Sequence, residues 1–486
     1  MNPTIASLEP KDIWRNFAKL NAVPRPSKKE ERIIQFMLDF GKSLNLETSK
    51  DKVGNVLIKK PATPGMENRK TVVLQSHLDM VHQKNNDTVF DFNSQGIEML
   101  VDGDWVKANG TTLGADNGLG VSAIMGLLES TNIEHPALEA LFTIDEETGM
   151  TGAMGLEPNF LSGDILLNLD TEDDDELSVG CAGGIDITAS RSYKSEQIDN
   201  SKTAYKLVVN GLNGGHSGMD INKGLGNANK IMNRLLFDGF ANFGLRISKL
   251  EGGSLRNAIP RESQAHVVVD KIHSKAFELE TELLSQVISA ELAQIDPNLS
   301  IAVTPTELPE NVMDLGVQEG FLKSIYAALN GVYRMSPSID DLVETSNNIA
   351  KVTVNNGEIE VLCLTRSSLE SAKMDLANGL RSVFELSGFE VELSGSYPGW
   401  QPDMDSSILK EMHKLYVDLF REEPNIMACH AGLECGLLGT HYPKMEMISF
   451  GPNIRGAHSP DERASISSSK KFWNYLLATL KSIPTK

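Results

Sequence analysis

The sequence of 486 residues predicts an α/β fold that is interrupted by an inserted α+β domain. Two observations carry this prediction. Short apolar runs of strand length alternate with helical patterns at the start of the chain, which is typical of α/β domains. The pattern changes after Gly183 and Gly184, and it returns after Trp400. We therefore predict one discontinuous domain, residues 1–186 and 400–486, with residues 187–399 inserted into it.

The first segment starts with helical patterns and continues with buried strands. Residues 11–46 predict helices that are broken at residues 24–27 (PRPS), where Ser27 and Glu30 have the spacing of a capping box. A glycine-rich apolar pattern predicts a buried helix over residues 117–130. Apolar runs predict strands at residues 54–59, 71–75, 138–144 and 164–169.

The inserted segment shows longer successions of strand and helix. Its apolar patterns predict strands at residues 203–210, 245–250, 266–270, 350–354 and 359–364, and helices at residues 226–237, 275–293, 321–333 and 368–387. Residues 257–284 loosely echo residues 348–380, so the insertion is expected to consist of two similar halves. After Trp400, a helix over residues 406–420 and a strand over residues 445–450 complete the first domain.

Composition excludes several classes of partner. The chain carries 66 acidic and 45 basic residues, a formal net charge of -21, which argues against binding to nucleic acid or to an anionic membrane surface. The start of the chain lacks the pattern of a signal peptide, and the four cysteines show no CxxC spacing. We therefore expect a cytoplasmic protein with reduced thiols.

Histidine and carboxylate residues follow the predicted strands. His77 and Asp79 are two residues apart at a strand end, so their side chains share one side. Taken singly, each such residue has a structural alternative: a hydrogen-bonded histidine, a helix cap or a solvated acidic loop. Together the series places ligand-type side chains where α/β sheets bind ligands. Its members, in order, are His77, Asp79, Asp116, Glu146, Glu147, Asp170 and His458.

A charge count favours two metal ions in this series. Three converging carboxylates without a cation would repel one another and would be costly to desolvate. Two divalent cations balance Asp116, Glu147, Asp170 and one hydroxide, with His77 and His458 as neutral ligands. Carboxylate and imidazole ligands together suit zinc, with manganese or cobalt as substitutes.

Six motifs, spread over nearly the whole chain, resemble one enzyme family. They are residues 76–80 (SHLDM), 112–118 (TLGADNG), 143–149 (TIDEETG), 168–170 (NLD), 214–218 (GGHSG) and 456–460 (GAHSP). The chain is identified by them as a member of the co-catalytic zinc metallopeptidase family that includes aminoacylases, glutamate carboxypeptidase and carnosine dipeptidases. The resemblance implies a dizinc aminopeptidase-like catalytic domain in which residues 187–399 form a lid.

The resemblance also implies the role of each residue in the series. Asp116 is implied to bridge both metals. One metal site is completed by Glu147 and His458, and the other by His77 and Asp170. The resemblance implies that Glu146 is the general base, which takes a proton from the water between the metals and passes it to the leaving amine. Asp79 is implied to orient His77.

Four residues are implied to bind the substrate. His216 resembles a lid histidine that stabilises the oxyanion. Asn257 and Arg366 resemble residues that hold the backbone and the free carboxylate of the substrate, and Gly432 is implied to line the pocket. A turn histidine and a surface or capping arginine are the structural alternatives for His216 and Arg366.

The expected activity is hydrolysis of unblocked dipeptides, with histidine as the favoured C-terminal residue and β-alanyl-histidine included. An N-acyl amino acid deacylase or a tripeptidase on the same dizinc scaffold is the alternative. A non-enzymatic relative should have lost the base or a ligand, and here Glu146 and all five ligand candidates are present. The implied partners are a small peptide substrate and, as an open alternative to a monomer, a second copy of the chain.

Overall fold

The computed structural model describes residues 3–486 as a mixed α/β protein. It divides into two compact units. The first unit runs to Gly180 and resumes over Trp400–Ala428 and Leu433–Lys486. The second unit contains Cys181–Gly399 and the short segment Cys429–Gly432. The role of residues 187–399 as a lid stays a prediction.

Every predicted helix except the one over residues 321–333 has a close counterpart in the structure. None of those in the described part of the chain is long and apolar enough to cross a membrane. In chain order they are α1 (Pro3–Ala6), α2 (Lys11–Leu20), α3 (Glu31–Ser43), α4 (Ala115–Glu129), α5 (Thr151–Met154), α6 (Ala228–Phe243), α7 (Ser274–Leu292), α8 (Leu315–Ala327), α9 (Glu370–Leu386), α10 (Ser407–Phe420), α11 (Glu434–His441) and α12 (Ile466–Ser482).

The strands include the predicted ones and several shorter ones. They are β1 (Glu47–Lys50), β2 (Val56–Lys60), β3 (Val72–His77), β4 (Met99–Asp102), β5 (Trp105–Ala108), β6 (Leu138–Thr143), β7 (Ile165–Asn168), β8 (Glu176–Cys181), β9 (Gly183–Ser192), β10 (Ser195–Gln197), β11 (Lys202–Asn210), β12 (Gly215–His216), β13 (Arg246–Gly252), β14 (Ala258–Ile259), β15 (Ser263–Asp270), β16 (Ser300–Thr306), β17 (Asn311–Met313), β18 (Gly331–Met335), β19 (Val343–Asn355), β20 (Glu358–Ser367), β21 (Glu390–Tyr397), β22 (Asn425–Cys429), β23 (Glu446–Ser449), β24 (Ile454–Arg455) and β25 (Arg463–Ser465).

An eight-stranded sheet forms the centre of the first unit, in the order β1-β2-β6-β3-β7-β23-β8-β22. Strands β6, β3, β7 and β23 run parallel to one another, whereas β2 and β8 pair antiparallel to β6 and β23 on either side. Every residue of β3, β6 and β7 is buried, as expected for parallel strands covered on both faces. Because parallel strands end at the same edge, the residues that follow β3, β6 and β7 are brought together there.

Helix α4 packs closely against this sheet. A Cβ atom at Gly120 would lie 2.5 Å from both the Leu169 carbonyl oxygen and the Ser76 hydroxyl, so only glycine fits at this contact. The helix begins irregularly, because Asp116 and Asn117 have non-helical dihedral angles and the peptide bond between them is cis. Asp116 thus lies at the carboxyl edge of the sheet.

The second unit is built on one antiparallel sheet, in the order β16-β11-β15-β13-β19-β20-β9-β21, with β18 paired to β19. The first four strands pair among themselves, as do the last four, and β13 joins β19. One apolar core contains residues from both groups of strands, from α6 and α7, and from α8 and α9.

Two local predictions were wrong. Ser27 does not cap a helix: helix α3 starts at Glu31, and the Ser27 hydroxyl instead donates to Asp79. The predicted helix over residues 321–333 starts earlier and ends at Ala327, and β18 follows it. In both places the sequence pattern was locally consistent, but a pairing with a distant residue or strand decided the structure.

Candidate metal centre

The sheet edge of the first unit gathers the predicted ligands. His77 is the last residue of β3, Glu146 and Glu147 follow β6, and Asp170 follows β7. Asp116 lies at the start of α4, and His458 lies in the loop between β24 and β25. The backbone of His458 is in the left-handed region with φ 63°, a conformation that is uncommon outside glycine and is found at functional sites. We call these six residues the acidic cluster.

Asp116 lies between the two histidines. Its Oδ1 is 3.2 Å from His77 Nε2, and its Oδ2 is 3.2 Å from His458 Nε2. One carboxylate therefore faces two imidazole nitrogens with its two oxygens, the arrangement that a bridging ligand requires.

The other two carboxylates each accompany one histidine. Asp170 Oδ1 is 3.5 Å from His77 Nε2, and Glu147 Oε2 is 3.0 Å from His458 Nε2. Two triads result, His77 with Asp116 and Asp170, and His458 with Asp116 and Glu147, and within each triad the ligand atoms lie within 4.8 Å of one another. The two triads share only Asp116.

Asp79 contacts both His77 and the segment that follows β6. Its Oδ1 is 3.3 Å from His77 Nδ1, which leaves Nε2 of that ring free to face Asp116. Asp79 also accepts hydrogen bonds from the backbone N–H groups of Glu146 and Glu147 and from the Ser27 hydroxyl. Burial opposes ionisation, but the contacts with His77, Ser27 and Glu146 lower the pKa of Asp79 to about 2.

The carboxylates around His77 and His458 raise the pKa of both histidines. Hydrogen bonds to Asp116 and Glu147 raise the pKa of His458 to about 11. Burial alone would lower the pKa of His77, but Asp170, Asp116 and Asp79 raise it well above its usual value. Positive charge is thus favoured at both points where imidazole meets carboxylate.

Glu146 has the surroundings of a general base. Burial raises the pKa of its carboxyl well above the usual value, and the carboxylates of Asp170, Glu147 and Glu434 raise it further, against the effect of His77. Burial that raises the pKa of a carboxyl is one way in which enzymes adapt a glutamate to proton transfer. Its neighbour Glu147 has its pKa raised by burial but faces His458.

The residues present fit a pair of divalent cations. Carboxylate oxygens and imidazole nitrogens are the ligands that zinc and related metals take. Glu147 Oε1 is buried and has no hydrogen-bond partner within residues 3–486, which is costly unless a further group binds it. A separate carboxylate group, Glu30, Asp79 and Asp145, contains no histidine, and its Asp145 is paired with Lys28.

The predicted substrate residues lie in the second unit. His216 ends β12, and its Nδ1 accepts hydrogen bonds from the backbone N–H groups of Gly218 and Met219. Nδ1 is therefore unprotonated, and the neutral ring carries its proton on Nε2. Burial and the charge of Arg366 lower the pKa of His216, which keeps the ring neutral and leaves Nε2–H as a donor.

Arg366 supplies the positive charge in a second group of polar side chains, which lies in the second unit. It is buried in β20, donates to the Tyr397 hydroxyl at 2.7 Å, and has its Nε without a partner in the described chain. His430 Nε2 lies 2.8 Å from the Ser346 hydroxyl. Burial, Arg366 and His216 lower the pKa of His430 to about 3. We call His216, Ser346, Arg366, Tyr397 and His430 the lid cluster.

The remaining two predicted substrate residues have fewer contacts. Asn257 is exposed, and its backbone carbonyl accepts a hydrogen bond from Ser217, next to His216. Gly432 lies half-buried in the short segment Cys429–Gly432, two residues after His430.

Several residues that support the acidic cluster were not predicted. Glu434 is fully buried, accepts hydrogen bonds from Gln75 and Thr143, and has its pKa raised to about 7 by burial. Arg25 and Glu462 bind the loop before α4. The one sequence signal for Glu462 was its position four residues after His458.

A sheet whose central parallel strands lead to two histidine–carboxylate triads is typical of metal-dependent hydrolases. Residues 73–482 match the model of peptidase family M20/M25/M40, so the chain belongs to this family and is a peptidase of the hydrolase class. The resemblance drawn from the motifs is confirmed.

Two known proteins are similar to this chain over almost its whole length. The chain is 43% identical over 482 residues to the cytosol non-specific dipeptidase of Escherichia coli, covering 99% of each chain. It is also 43% identical to the crystal structure of aminoacylhistidine dipeptidase from Vibrio alginolyticus, with a TM-score of 0.93 and coverage of 99% and 98%. Aminopeptidase PepT from Bacillus cereus, 14% identical over 98% of this chain and 99% of its own, with a TM-score of 0.57, shares the fold.

Proposed function

We propose that this chain is a metal-dependent dipeptidase that hydrolyses unblocked dipeptides, with histidine on the C-terminal side of the bond and β-alanyl-histidine among its substrates. The single observation that carries the proposal is Asp116 between His77 and His458, with one carboxylate oxygen 3.2 Å from each ring. The names of the two relatives at 43% identity support the dipeptide substrate.

The proposed ligands are His77, Asp116 and Asp170 for one ion, and His458, Asp116 and Glu147 for the other. We propose zinc, with cobalt or manganese as substitutes, because mixed imidazole and carboxylate ligands suit it. When bound, such ions polarise the peptide carbonyl and lower the pKa of water. The buried Glu147 Oε1, which lacks a hydrogen-bond partner in the described residues, supports a further group at the second of these sites.

We assign the proton transfers to Glu146. Its raised pKa suits it to take a proton from the attacking water and to deliver that proton to the leaving amine. Asp79 fixes the position of Glu146, because it accepts the hydrogen bond of the Glu146 backbone N–H at 3.0 Å. Asp79 also holds the His77 ring, so one carboxylate positions both a base and a ligand.

The lid cluster is assigned to substrate recognition. His216 presents Nε2–H and is proposed to donate it to the oxyanion of the tetrahedral state. Arg366, with its unpartnered Nε, is proposed to bind the free carboxylate of the dipeptide. Asn257 and Gly432 are proposed to hold the substrate backbone and to line its pocket.

A panel of substrates tests the proposal. We expect the zinc-supplied enzyme to hydrolyse Xaa-His dipeptides, and the chelated enzyme to lose this activity. Hydrolysis of N-acetyl amino acids or of tripeptides in preference to dipeptides would contradict the proposal and favour the deacylase or tripeptidase alternative. Sedimentation of the active enzyme would decide between a monomer and a homodimer. We also propose a cytoplasmic location, which the name of the Escherichia coli relative supports.

A further inference from the structure

Glu462 holds the loop that carries the bridging aspartate. This buried carboxylate accepts hydrogen bonds from four consecutive backbone N–H groups. Oε2 binds those of Leu113 and Gly114 at 2.7 and 2.9 Å, and Oε1 binds those of Ala115 and Asp116 at 2.7 and 3.3 Å. Such N–H groups at a helix start lack partners within the helix, and the preceding residue, Gly114, has no side chain to cap them.

Arg25 holds the same loop through a carbonyl group. Its guanidinium is buried, and Nη2 donates to the Gly114 carbonyl and to the Asn21 side chain. Nη1 donates to the carbonyls of Leu78 and Asp79, at 3.1 and 3.0 Å. One planar side chain therefore ties the end of β3, which supplies His77, to the loop that supplies Asp116.

The backbone between these two charges leaves no room for a side chain at Gly114. Gly114 has φ 69°, and a Cβ atom there would lie 2.6 Å from Arg25 Nη2 and 2.8 Å from Met80 Sδ. The loop is thus confined by a carboxylate on its N–H groups and by a guanidinium on its carbonyl. Glu462 also follows His458 in the same loop, so the carboxylate links the two residues that face each other at 3.2 Å.

We propose that Arg25 and Glu462 are positioning residues that fix the bridging carboxylate of Asp116 before metal binds. The inference rests on the metal assignment of the proposed function. It concerns two side chains outside the proposed ligand and substrate-binding residues, and it assigns them a share of metal affinity through the backbone they hold.

Zn²⁺ affinity of the Glu462→Gln variant tests the proposal. The amide keeps the size of the side chain but replaces one oxygen with a donor, which faces N–H groups and cannot accept from them. We expect the affinity of the folded protein for Zn²⁺, measured by competition with a chromophoric chelator, to fall by roughly 10- to 100-fold. Unchanged affinity in a folded Glu462→Gln variant would overturn the proposal.

Glu139→Gln is the matched control. Glu139 is also buried, in β6, and accepts hydrogen bonds from the N–H groups of Ser162 and Gly163, but it lies at the opposite end of that strand from Glu146. Both variants should unfold at lower temperature than the wild type. Only Glu462→Gln should lose Zn²⁺ affinity; an equal loss in Glu139→Gln would reduce the effect to general destabilisation and overturn the proposal.

Two further measurements remain decisive if Glu462→Gln does not fold. Arg25→Lys keeps the charge but loses the fork that reaches three carbonyls, so its Zn²⁺ affinity should also fall. In the metal-free wild type, the amides of Leu113, Gly114 and Ala115 should resist hydrogen exchange; exchange as fast as in an exposed turn would overturn the proposal. A wild type that takes up no Zn²⁺ would refute the metal assignment instead.

Discussion

Two histidines of this molecule show opposite electrostatic behaviour. In the acidic cluster of the first unit, Asp116 and Glu147 raise the pKa of His458 to about 11. In the lid cluster of the second unit, burial and the charge of Arg366 lower the pKa of His430 to about 3. Without a bound cation, the carboxylates favour the charged form of His458, and a metal ion at Nε2 would take the place of that proton. At His430 the neutral form is favoured.

The difference indicates which charge each cluster favours. Carboxylates that converge on imidazole favour a nearby cation, in line with the proposed metal sites. A buried arginine among neutral histidines favours an anion and disfavours a second positive charge, in line with its proposed role in binding a carboxylate. The predictions below alter one cluster at a time, and each should affect its own kind of ligand and leave the other kind alone.

The largest effect is expected from Asp116→Ala. Because one carboxylate serves both triads, the variant should lose both ions and all measurable turnover. Metal analysis of the purified protein checks this, with up to two ions per subunit expected in the wild type. Asp51→Asn is the control, since Asp51 is buried and binds the N–H groups of a loop without contacting the acidic cluster. Full metal content in Asp116→Ala would refute the bridging role.

Glu146→Gln should separate the base from the ligands. The variant keeps the five proposed ligands, so we expect its metal content to be normal and its turnover to fall by roughly 10²- to 10⁴-fold. Glu147→Gln, its neighbour in the chain, should instead lose metal, because Glu147 Oε2 faces His458 at 3.0 Å. If Glu146→Gln lost metal and Glu147→Gln did not, the two roles would have to be exchanged.

Arg366→Ala should weaken recognition of an anion without changing metal content. Hydrogen bonds to charged groups contribute about 1.5–3 kcal/mol, so kcat/KM for a dipeptide with a free carboxylate should fall roughly 10- to 100-fold. A C-terminally amidated dipeptide should be a poor substrate already and should lose little more. Arg256→Lys is the control, because the Arg256 guanidinium is occupied by structural hydrogen bonds. It donates to the carbonyls of Ile187 in β9 and Cys363 in β20, and β20 also carries Arg366. An equal loss on both substrates would contradict the assignment.

The last prediction concerns the pH dependence of stability at His430. Its lowered pKa means that the unfolded chain binds a proton below about pH 6.5 while the folded chain does not until about pH 3. The free energy of unfolding should therefore decrease as the pH is lowered below 6.5, by about 1.4 kcal/mol per pH unit. His430→Gln should remove this slope in urea unfolding, whereas His273→Gln, at an exposed histidine of the same unit, should not. If the free energy of unfolding depended on pH equally in the wild type and in His430→Gln, the lowered pKa of His430 would be refuted.

The sequence predicted the α/β fold and the members of the acidic cluster better than it predicted their support. Strands β3, β6 and β7 are buried and mostly apolar, and a histidine or carboxylate ends each strand or follows it within three residues, so the pattern and the proposed ligands are close in the chain. The metal roles of these residues stay predictions, but the structure brings their side chains to one edge of the sheet.

The supporting residues could not be predicted, because they act over long separations. Glu462 binds backbone N–H groups that lie 346 to 349 residues earlier in the chain. Its local sequence does not distinguish it from a glutamate exposed on the surface. Arg25 stands between two prolines, a pattern that predicts only an interrupted helix. Ser27 fitted a capping box, and only the folded chain shows that its hydroxyl binds Asp79.

The order of synthesis gives the acidic cluster one more property. His458 comes 342 residues after Asp116, and Glu462 comes 346 residues after it. On a ribosome, the early segment emerges long before the residues that close the proposed site and lock its loop. A nascent or prematurely terminated chain that ends before these residues would thus lack both side chains, and the complete acidic cluster would form only after residues 458–462 have emerged.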